Sequence, residues 1–151
     1  MNVELPQKLI LFHLDNQPFG LDVTAVQEIL PHVAARQVPR SAQHIEGVFD
    51  FRGRIIPLIN LRGLLSLTEA DRIGNVIVVS QQQQLLGLIV DKVIAVLTDQ
   101  DQVRPLELKQ TDNPYIQGFV EYKEQQVAIL GLAKLATTIA QKEENNVSRH
   151  P

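Results

Sequence analysis

The two halves of this chain of 151 residues repeat one pattern of apolar residues and glycines, and this repeat limits the possible folds more than any other feature. The halves match at constant spacing, first over residues 10–30 and 77–97 and then over 47–64 and 118–135. Each half supplies about five short strands, and a sheet that small hides its edges by curling into a barrel. We therefore predict two five-stranded barrels, formed by an internal duplication and packed on a shared apolar core. The clearest matches pair Ile10, Gly20, Val26 and Ile29 with Ile77, Gly87, Val93 and Val96, and Gly47, Phe51 and Ile56 with Gly118, Tyr122 and Val127.

Each half predicts the same order of elements. Strands are predicted at 8–14, 18–23, 48–51 and 55–59, and again at 76–80, 85–90, 117–122 and 126–130. The spacing of Val26, Ile29 and Leu30 by three and four predicts a short amphipathic helix over 23–30 capped by Asp22, and 91–97 has the same spacing. One-turn helices are predicted after the caps Ser41, with Ile45 buried, and Asn60, and a C-terminal helix over 132–141.

Composition is that of an ordinary globular protein, with 44% hydrophobic and 21% charged residues. A chain of this length buries about 70% of its unfolded surface, which is enough for a stable core without disulfides or structural metals. The absence of cysteine fits a reducing compartment, and the N-terminus has neither the basic flank nor the apolar region of a signal peptide, so we expect a cytoplasmic location. The net charge of -3 argues against nucleic acid as the partner.

Motifs for catalysis and metal binding are missing from the sequence. The histidines lack ligand spacing, and neither Ser41 nor Ser66 is accompanied by a sequence-visible base. Asp22 and Asp91 stand where helix caps would explain them. We therefore expect no enzyme, no metal and no cofactor. The acids embedded in apolar stretches are Asp22, Glu28, Asp50 and Asp91.

The corner Arg52-Gly53-Arg54 lies between two strands that are otherwise apolar. The second copy has Lys123-Glu124-Gln125 at the equivalent place, so the barrel requires a polar corner but not two arginines. Folding also leaves unexplained Glu28, Arg62 and the valines 26, 93 and 96. Two interpretations remain open: a surface ion pair between Glu28 and Arg52 with the valines in the core, or a groove between the barrels, with valines at its base and charges at its rim, that accepts an amphipathic helix.

Several stretches together carry a family resemblance. They include LFHLDNQPFGLDVTAVQEIL, GVFDFRGRIIPLINLRGLL, LLGLIVDKVIAVL and GFVEYKEQQVAILGLAKLA, and the match runs from about Lys8 to about Thr138. The most specific pieces are Val26-Gln27-Glu28-Ile29, Phe51-Arg52-Gly53 and Val90-Asp91-Lys92-Val93. The sequence resembles the CheW family of chemotaxis coupling proteins.

This resemblance implies two intertwined five-stranded SH3-like barrels. With the predicted short helices and C-terminal helix they form one domain over residues 1–141, and the charged, apolar-poor residues 142–151 are expected to be a disordered tail. The resemblance also implies an adaptor without catalytic activity, recruited to membrane-associated receptor arrays. The adaptor would join the cytoplasmic tips of chemoreceptors to the regulatory domain of a CheA-type histidine kinase, and it would serve swimming, type IV pilus twitching or phototaxis. The implied receptor-binding residues are Val26, Glu28, Gly47, Arg52, Gly87, Val93 and Val96, and the implied kinase-binding residues are Arg104 and Leu108.

One departure from the family pattern concerns the Arg52 corner. The family usually has asparagine where this chain has Asp50, and a carboxylate two residues from Arg52 is expected on the same strand face, where it would partly neutralise the guanidinium.

Two rival functions stay open. One is a small hydrolase or isomerase using Asp50 and Asp91. The other is a nucleic-acid-binding barrel using arginines 36, 40, 52, 54 and 62.

Overall fold

A computed structural model describes Pro6 and residues 8–37, 44–67, 74–106 and 112–139. Nearly all of its regular structure is β, as the sequence predicts. The strands are β1 (Leu9–Leu14), β2 (Gln17–Asp22), β3 (Val26–Leu30), β4 (Ile45–Phe51), β5 (Arg54–Asn60), β6 (Asn75–Gln81), β7 (Gln84–Val90), β8 (Lys92–Leu97), β9 (Arg104–Leu106), β10 (Ile116–Tyr122) and β11 (Gln125–Leu130). The helices are a 3-10 turn (Val23–Ala25), α1 (Leu61–Leu64) and α2, which covers 132–139.

The two sheets exchange strands between the halves of the chain. One sheet has the order β8-β1-β2-β11-β10-β9 and the other β3-β6-β7-β5-β4. Each sheet therefore joins the first hairpin of one half to later strands of the other half. The two junctions are parallel pairings, β2 with β11 and β5 with β7, at equivalent places in the repeat. Two intertwined SH3-like barrels are thus confirmed, and the short strand β9 is an addition to the predicted five strands of one of them.

Three apolar clusters fill this architecture. The central cluster takes residues from both sheets, α1 and α2, and a smaller cluster fills each barrel. Strand β1 contributes to two clusters, because Ile10 and Phe12 face the central cluster while Leu9 and Leu11 face the smaller cluster inside the barrel of the six-stranded sheet. Burial of both faces explains why β1 and β6 read as continuous apolar runs instead of alternating ones.

The four hairpins close through two-residue turns in which both residues have positive φ. This is the geometry of type I′ turns, whose twist matches that of the flanking strands. Arg52 and Gly53, at φ 53 and 81, form one of them. The turn pairs are Asp15-Asn16, Arg52-Gly53, Gln82-Gln83 and Lys123-Glu124.

The predicted helices over 23–30 and 91–97 are wrong, because β3 and β8 are strands with a β-bulge. Val26 and Ile29 lie opposite Val79 and Ile77 with a register shift between them, and the pairing of β8 with β1 has an equivalent shift. A bulge adds one residue, so side chains three apart point to the same face of the strand. The spacing that resembles a helix is therefore the product of a bulged strand.

The predicted caps have mixed outcomes. The Asp22 side chain accepts a hydrogen bond from the Thr24 backbone N–H and caps the 3-10 turn, and Asn60 caps α1 through the Arg62 N–H. Asp91 caps no helix. Ser41 and residues 140–151, which include the end of the predicted C-terminal helix and the tail, lie outside the described residues. Ile45 is half-buried at the start of β4.

Candidate partner-binding site

The edge strands β3 and β8 carry most of the exposed apolar surface of the described residues. The described residues include four exposed large apolar side chains, of which Ile29, Ile94 and Val96 belong to these two strands and Ile55 belongs to β5. Val96 is the most exposed of the three, at 53%. Exposed apolar groups at a sheet edge are a usual sign of an interaction surface.

Val26 and Val93 hold equivalent positions at the base of this surface. Both are half-buried and pack against the central cluster. Val93 lies opposite Phe12, and Val96 lies opposite Ile10. Residues opposite each other in an antiparallel pair share a face, so Val93 and Val96 lie on the same face of β8, the face of the shared core. Ile29 joins Val26 on the equivalent face of β3.

Glu28 and Arg52 form an ion pair beside β3. The Arg52 Nη2 donates a hydrogen bond to Glu28 Oε1 at 2.8 Å, and the Arg52 guanidinium carbon lies 5.0 Å from the centre of the Phe51 ring. These two contacts fix the direction of a side chain that remains 66% exposed. The second copy repeats part of this arrangement, because the Lys123 ammonium lies 5.4 Å from the Tyr122 ring centre.

The expectation that Asp50 neutralises Arg52 is wrong. The Asp50 carboxylate accepts a hydrogen bond from the Gly53 backbone N–H at 3.0 Å, and the acid that pairs with Arg52 is Glu28. The two side chains do not share a strand face, since β4 ends at Phe51 and Arg52 lies in the turn at positive φ. Asp50 therefore stabilises the hairpin that presents Arg52.

Gly47 and Gly87 are buried within the five-stranded sheet. A Cβ at Gly87 would lie 2.5 Å from the Phe49 ring, and one at Gly47 would lie 2.4 Å from the Arg36 carbonyl oxygen. Both glycines therefore permit close packing of β4 and β7 against their neighbours.

The two kinase-facing positions have different outcomes. Arg104 lies on β9 and is 70% exposed, and its Nη2 donates to Glu121 Oε2 at 2.9 Å. Leu108 lies outside the described residues. The segment around Arg104 forms an edge strand beside β10.

Arg62 is buried, and the fold explains it. It is the only buried charged or polar residue in the described ranges, and its Nε and Nη2 both donate to the Asp91 carboxylate. The same carboxylate accepts the Asp15 backbone N–H at 2.8 Å, so one pair joins α1, the β1–β2 turn and the start of β8. The sequence contains a signal for both residues, because Asp91 directly follows the apolar run 85–90 and Arg62 lies within the largely apolar stretch 55–65.

The catalytic alternatives gain little from these contacts. Asp50 and Asp91, the acids of the rival hydrolase, both have structural partners. Within the described residues, no group of three or more histidine and acidic side chains could hold a metal ion. No helix in the same ranges is long and apolar enough to cross a membrane.

Comparison with known proteins decides the family. A family model described as the CheW-like domain matches residues 8–140. The chain belongs to the CheW-like family. The chemotaxis protein CheW of Treponema pallidum is 30% identical to this CheW-like chain over 137 residues, which cover 85% of this chain and 81% of that protein. The protein of the same name in Klebsiella aerogenes is 29% identical over 148 residues, covering 95% and 89%.

A solved structure agrees with both the fold and the family. The crystal structure of the scaffolding protein TtCheW from Thermoanaerobacter tengcongensis superimposes with a TM-score of 0.76 at 29% identity. The match covers 87% of this chain and 92% of that one. The resemblance found in the sequence is therefore confirmed.

Proposed function

We propose that this CheW-like protein is a non-catalytic scaffold that couples the cytoplasmic tips of chemoreceptors to a CheA-type histidine kinase. The observation that carries the proposal is the exposed apolar side chains of β3 and β8, Ile29 and Val96 among them, with Ile29 next to Glu28 of the Glu28–Arg52 pair. An apolar strip with a charged border suits an amphipathic helix, which buries one face and leaves the other in water. Family membership supports the choice of a receptor tip as that helix.

The receptor contact is divided among residues with different roles. Val26, Val93 and Val96 provide apolar contact on the core-side faces of the two edge strands. Glu28 and Arg52 provide the charged contact at the border, where the paired guanidinium keeps donors free for a partner. Gly47 and Gly87 act indirectly, because their lack of side chains sets the position of the strands that carry the surface.

The kinase contact would lie on another part of the molecule. We place it at Arg104 and Leu108 and at the apolar ends of the barrels, facing the regulatory domain of the kinase. Arg104 supports this position by its exposure at the outer strand of the six-stranded sheet. Separate surfaces allow receptor and kinase to be bound at the same time.

Signal transmission in this proposal requires only binding. A scaffold bound to receptor and kinase changes kinase activity when its affinity differs between the two activity states of the assembly. The protein would act in the cytoplasm at membrane-associated receptor arrays. An adaptor of this fold serves equally in flagellar, pilus-driven or phototactic movement, and the partners decide which one.

The test is binding of the full chain to two purified partners from the same cell, a receptor-tip fragment and the CheA-type kinase. We expect each partner to be captured by the immobilised protein. Val96→Asp should lose the receptor fragment and retain the kinase, since Val96 is exposed on β8 and is not part of the proposed kinase contact. Failure of the wild-type protein to capture either partner would contradict the proposal.

A further inference from the structure

A pocket of about 430 Å³ opens beside the Arg52 corner at one end of the five-stranded barrel. Its charged lining residues are Arg52 and Arg54, and no acid of the described segments lines it. Two amides and a hydroxyl add further hydrogen-bonding groups, and an aromatic and an aliphatic side chain provide an apolar wall. The lining residues are Gln27, Phe51, Arg52, Arg54, Ser80, Gln83 and Leu85.

Arg54 reaches this pocket because of its register in the hairpin. It lies opposite Phe51, the residue that enters the barrel interior at the end of β4, and opposite residues share a face. The Arg54 side chain therefore starts on the inner face at the barrel mouth. Within the part of the chain that the structure describes, the ion pairs involve Arg52, Arg62 and Arg104, and none involves Arg54.

The second copy of the corner gives an internal comparison. A pocket of about 630 Å³ lies at the equivalent turn, next to Tyr122 and Lys123. Gln125 stands at the position equivalent to Arg54. The charged residues lining this second pocket are Asp101, Arg104, Glu121, Lys123 and Glu124, three acids and two bases. The two pockets share only the corner residues of the repeat, Phe51 with Tyr122 and Arg52 with Lys123; the charged residues lining the first are all positive, and those lining the second have a slight excess of negative charge.

We infer that the pocket of Arg52 and Arg54 receives an acidic side chain of a protein partner, with Arg54 as the residue that selects it. A guanidinium binds a carboxylate through two parallel hydrogen bonds, and no ion pair among the described residues uses the donors of Arg54. Phe51 and Leu85 would contact the methylene groups of a glutamate or an apolar residue beside it. The net charge of -3 favours a single carboxylate on a protein over a nucleic acid, because the closely spaced phosphates of a nucleic acid repel an acidic chain more strongly.

The first test uses a defined probe and does not depend on the receptor. The full chain, with ¹⁵N-labelled arginine, is titrated with a short amphipathic peptide that carries glutamates beside leucines, and with the same peptide carrying glutamines. We expect the Arg54 Nε–H signal to shift saturably with the glutamate peptide only. No shift of that signal at millimolar peptide, or equal binding of the two peptides, would overturn the inference. A stronger response to an oligonucleotide would overturn the assignment to a protein.

Arg54→Gln is the matched variant, because it places in the first corner the residue that the second corner already has. It should fold as the wild type does and bind the glutamate peptide about 10-fold more weakly. Lys123→Gln, at the other corner, should bind within about 2-fold of the wild type. Equal affinity of Arg54→Gln and the wild type would overturn the role of Arg54.

The second test rests on the proposed function, because it uses the receptor-tip fragment as the partner. Each acid of the fragment is replaced in turn by its amide, and each variant is measured against wild type and Arg54→Gln. One replacement should remove the effect of Arg54→Gln, which identifies the bound acid. If no replacement does so, the pocket does not bind the receptor through an acid. If the wild type binds no fragment at all, the proposed function fails, and the peptide result still decides the pocket.

Discussion

Arg52 and Gly53 occupy a turn whose backbone shape the barrel requires and whose charge it does not. The other three hairpins form the same turn with Asp-Asn, Gln-Gln and Lys-Glu pairs. The sequence comparison of the two copies therefore separated the corner from its arginines correctly. The Glu28–Arg52 ion pair, one of the two interpretations that the sequence leaves open, is present in the structure, where the closure of the barrel brings the two residues together.

Arg52→Asp tests the border of the proposed receptor surface. The unfolding free energy should change by less than about 1 kcal/mol, since the ion pair is exposed. Receptor-tip binding should weaken by roughly 1 to 3 kcal/mol, the value of a lost charged contact. Isothermal titration calorimetry measures the binding, and Lys123→Asp is the control at the equivalent corner. Equal losses in both variants would remove Arg52 from the site.

Arg62 and Asp91 form a pair that serves folding. The Arg62 side chain is 8% exposed, and Asp91→Asn removes the charge of the carboxylate to which its Nε and Nη2 donate. We expect a loss of about 3 kcal/mol in unfolding free energy by urea denaturation. Asp22→Asn, which keeps a good capping residue at a half-buried site, should lose less than about 0.5 kcal/mol. A loss below about 1 kcal/mol for Asp91→Asn would contradict the structural role.

At the scale of elements, the β-bulge marks the limit of what periodicity can predict. Strands with plain alternation or continuous burial, such as β1 and β6, were predicted within about two residues. The bulged strands β3 and β8 were predicted as helical because an added residue changes a spacing of two into three. The same bulge places Val93 and Val96 on one face, so the feature that misled the prediction also builds the candidate surface.

Val93 and Val96 should respond differently to a charge. Val96→Asp places a carboxylate at an exposed position, so the fold should be retained and receptor binding lost. Val93→Asp places one against the central cluster, where an unpaired charge costs several kcal/mol, and the protein should lose stability. Circular dichroism with urea titration measures the difference. Similar stability of the two variants would contradict the positions assigned to them.

At the scale of the molecule, the duplication was visible in the sequence, but the exchange of strands was not derivable from it. Two identical patterns fit equally well as two separate barrels or as barrels that share hairpins; the family resemblance indicated the second. The pairing of β2 with β11 and β5 with β7 establishes it. The apolar residues of the candidate site could be predicted from their spacing and from the family resemblance. The pocket at Arg54 could not, because it depends on the register of the β4–β5 hairpin.

The exchange predicts that neither half folds alone. Fragments 1–67 and 74–151 should each show little β structure by circular dichroism. Neither fragment contains all the strands of either sheet, and each exposes the part of the central cluster that the other half covers. Mixing the fragments should restore the signal. A fragment that folds cooperatively by itself would show that the barrels are independent.

The most direct measurement of the coupling claim is formation of a three-component complex. The receptor-tip fragment is immobilised, and capture of the CheA-type kinase is measured without the protein, with the wild type and with Val96→Asp. We predict that the wild type increases kinase capture, and that Val96→Asp does not, although it still binds the kinase in solution. Kinase capture that is unchanged by the wild-type protein, while each partner binds it separately, would contradict coupling through two separate surfaces.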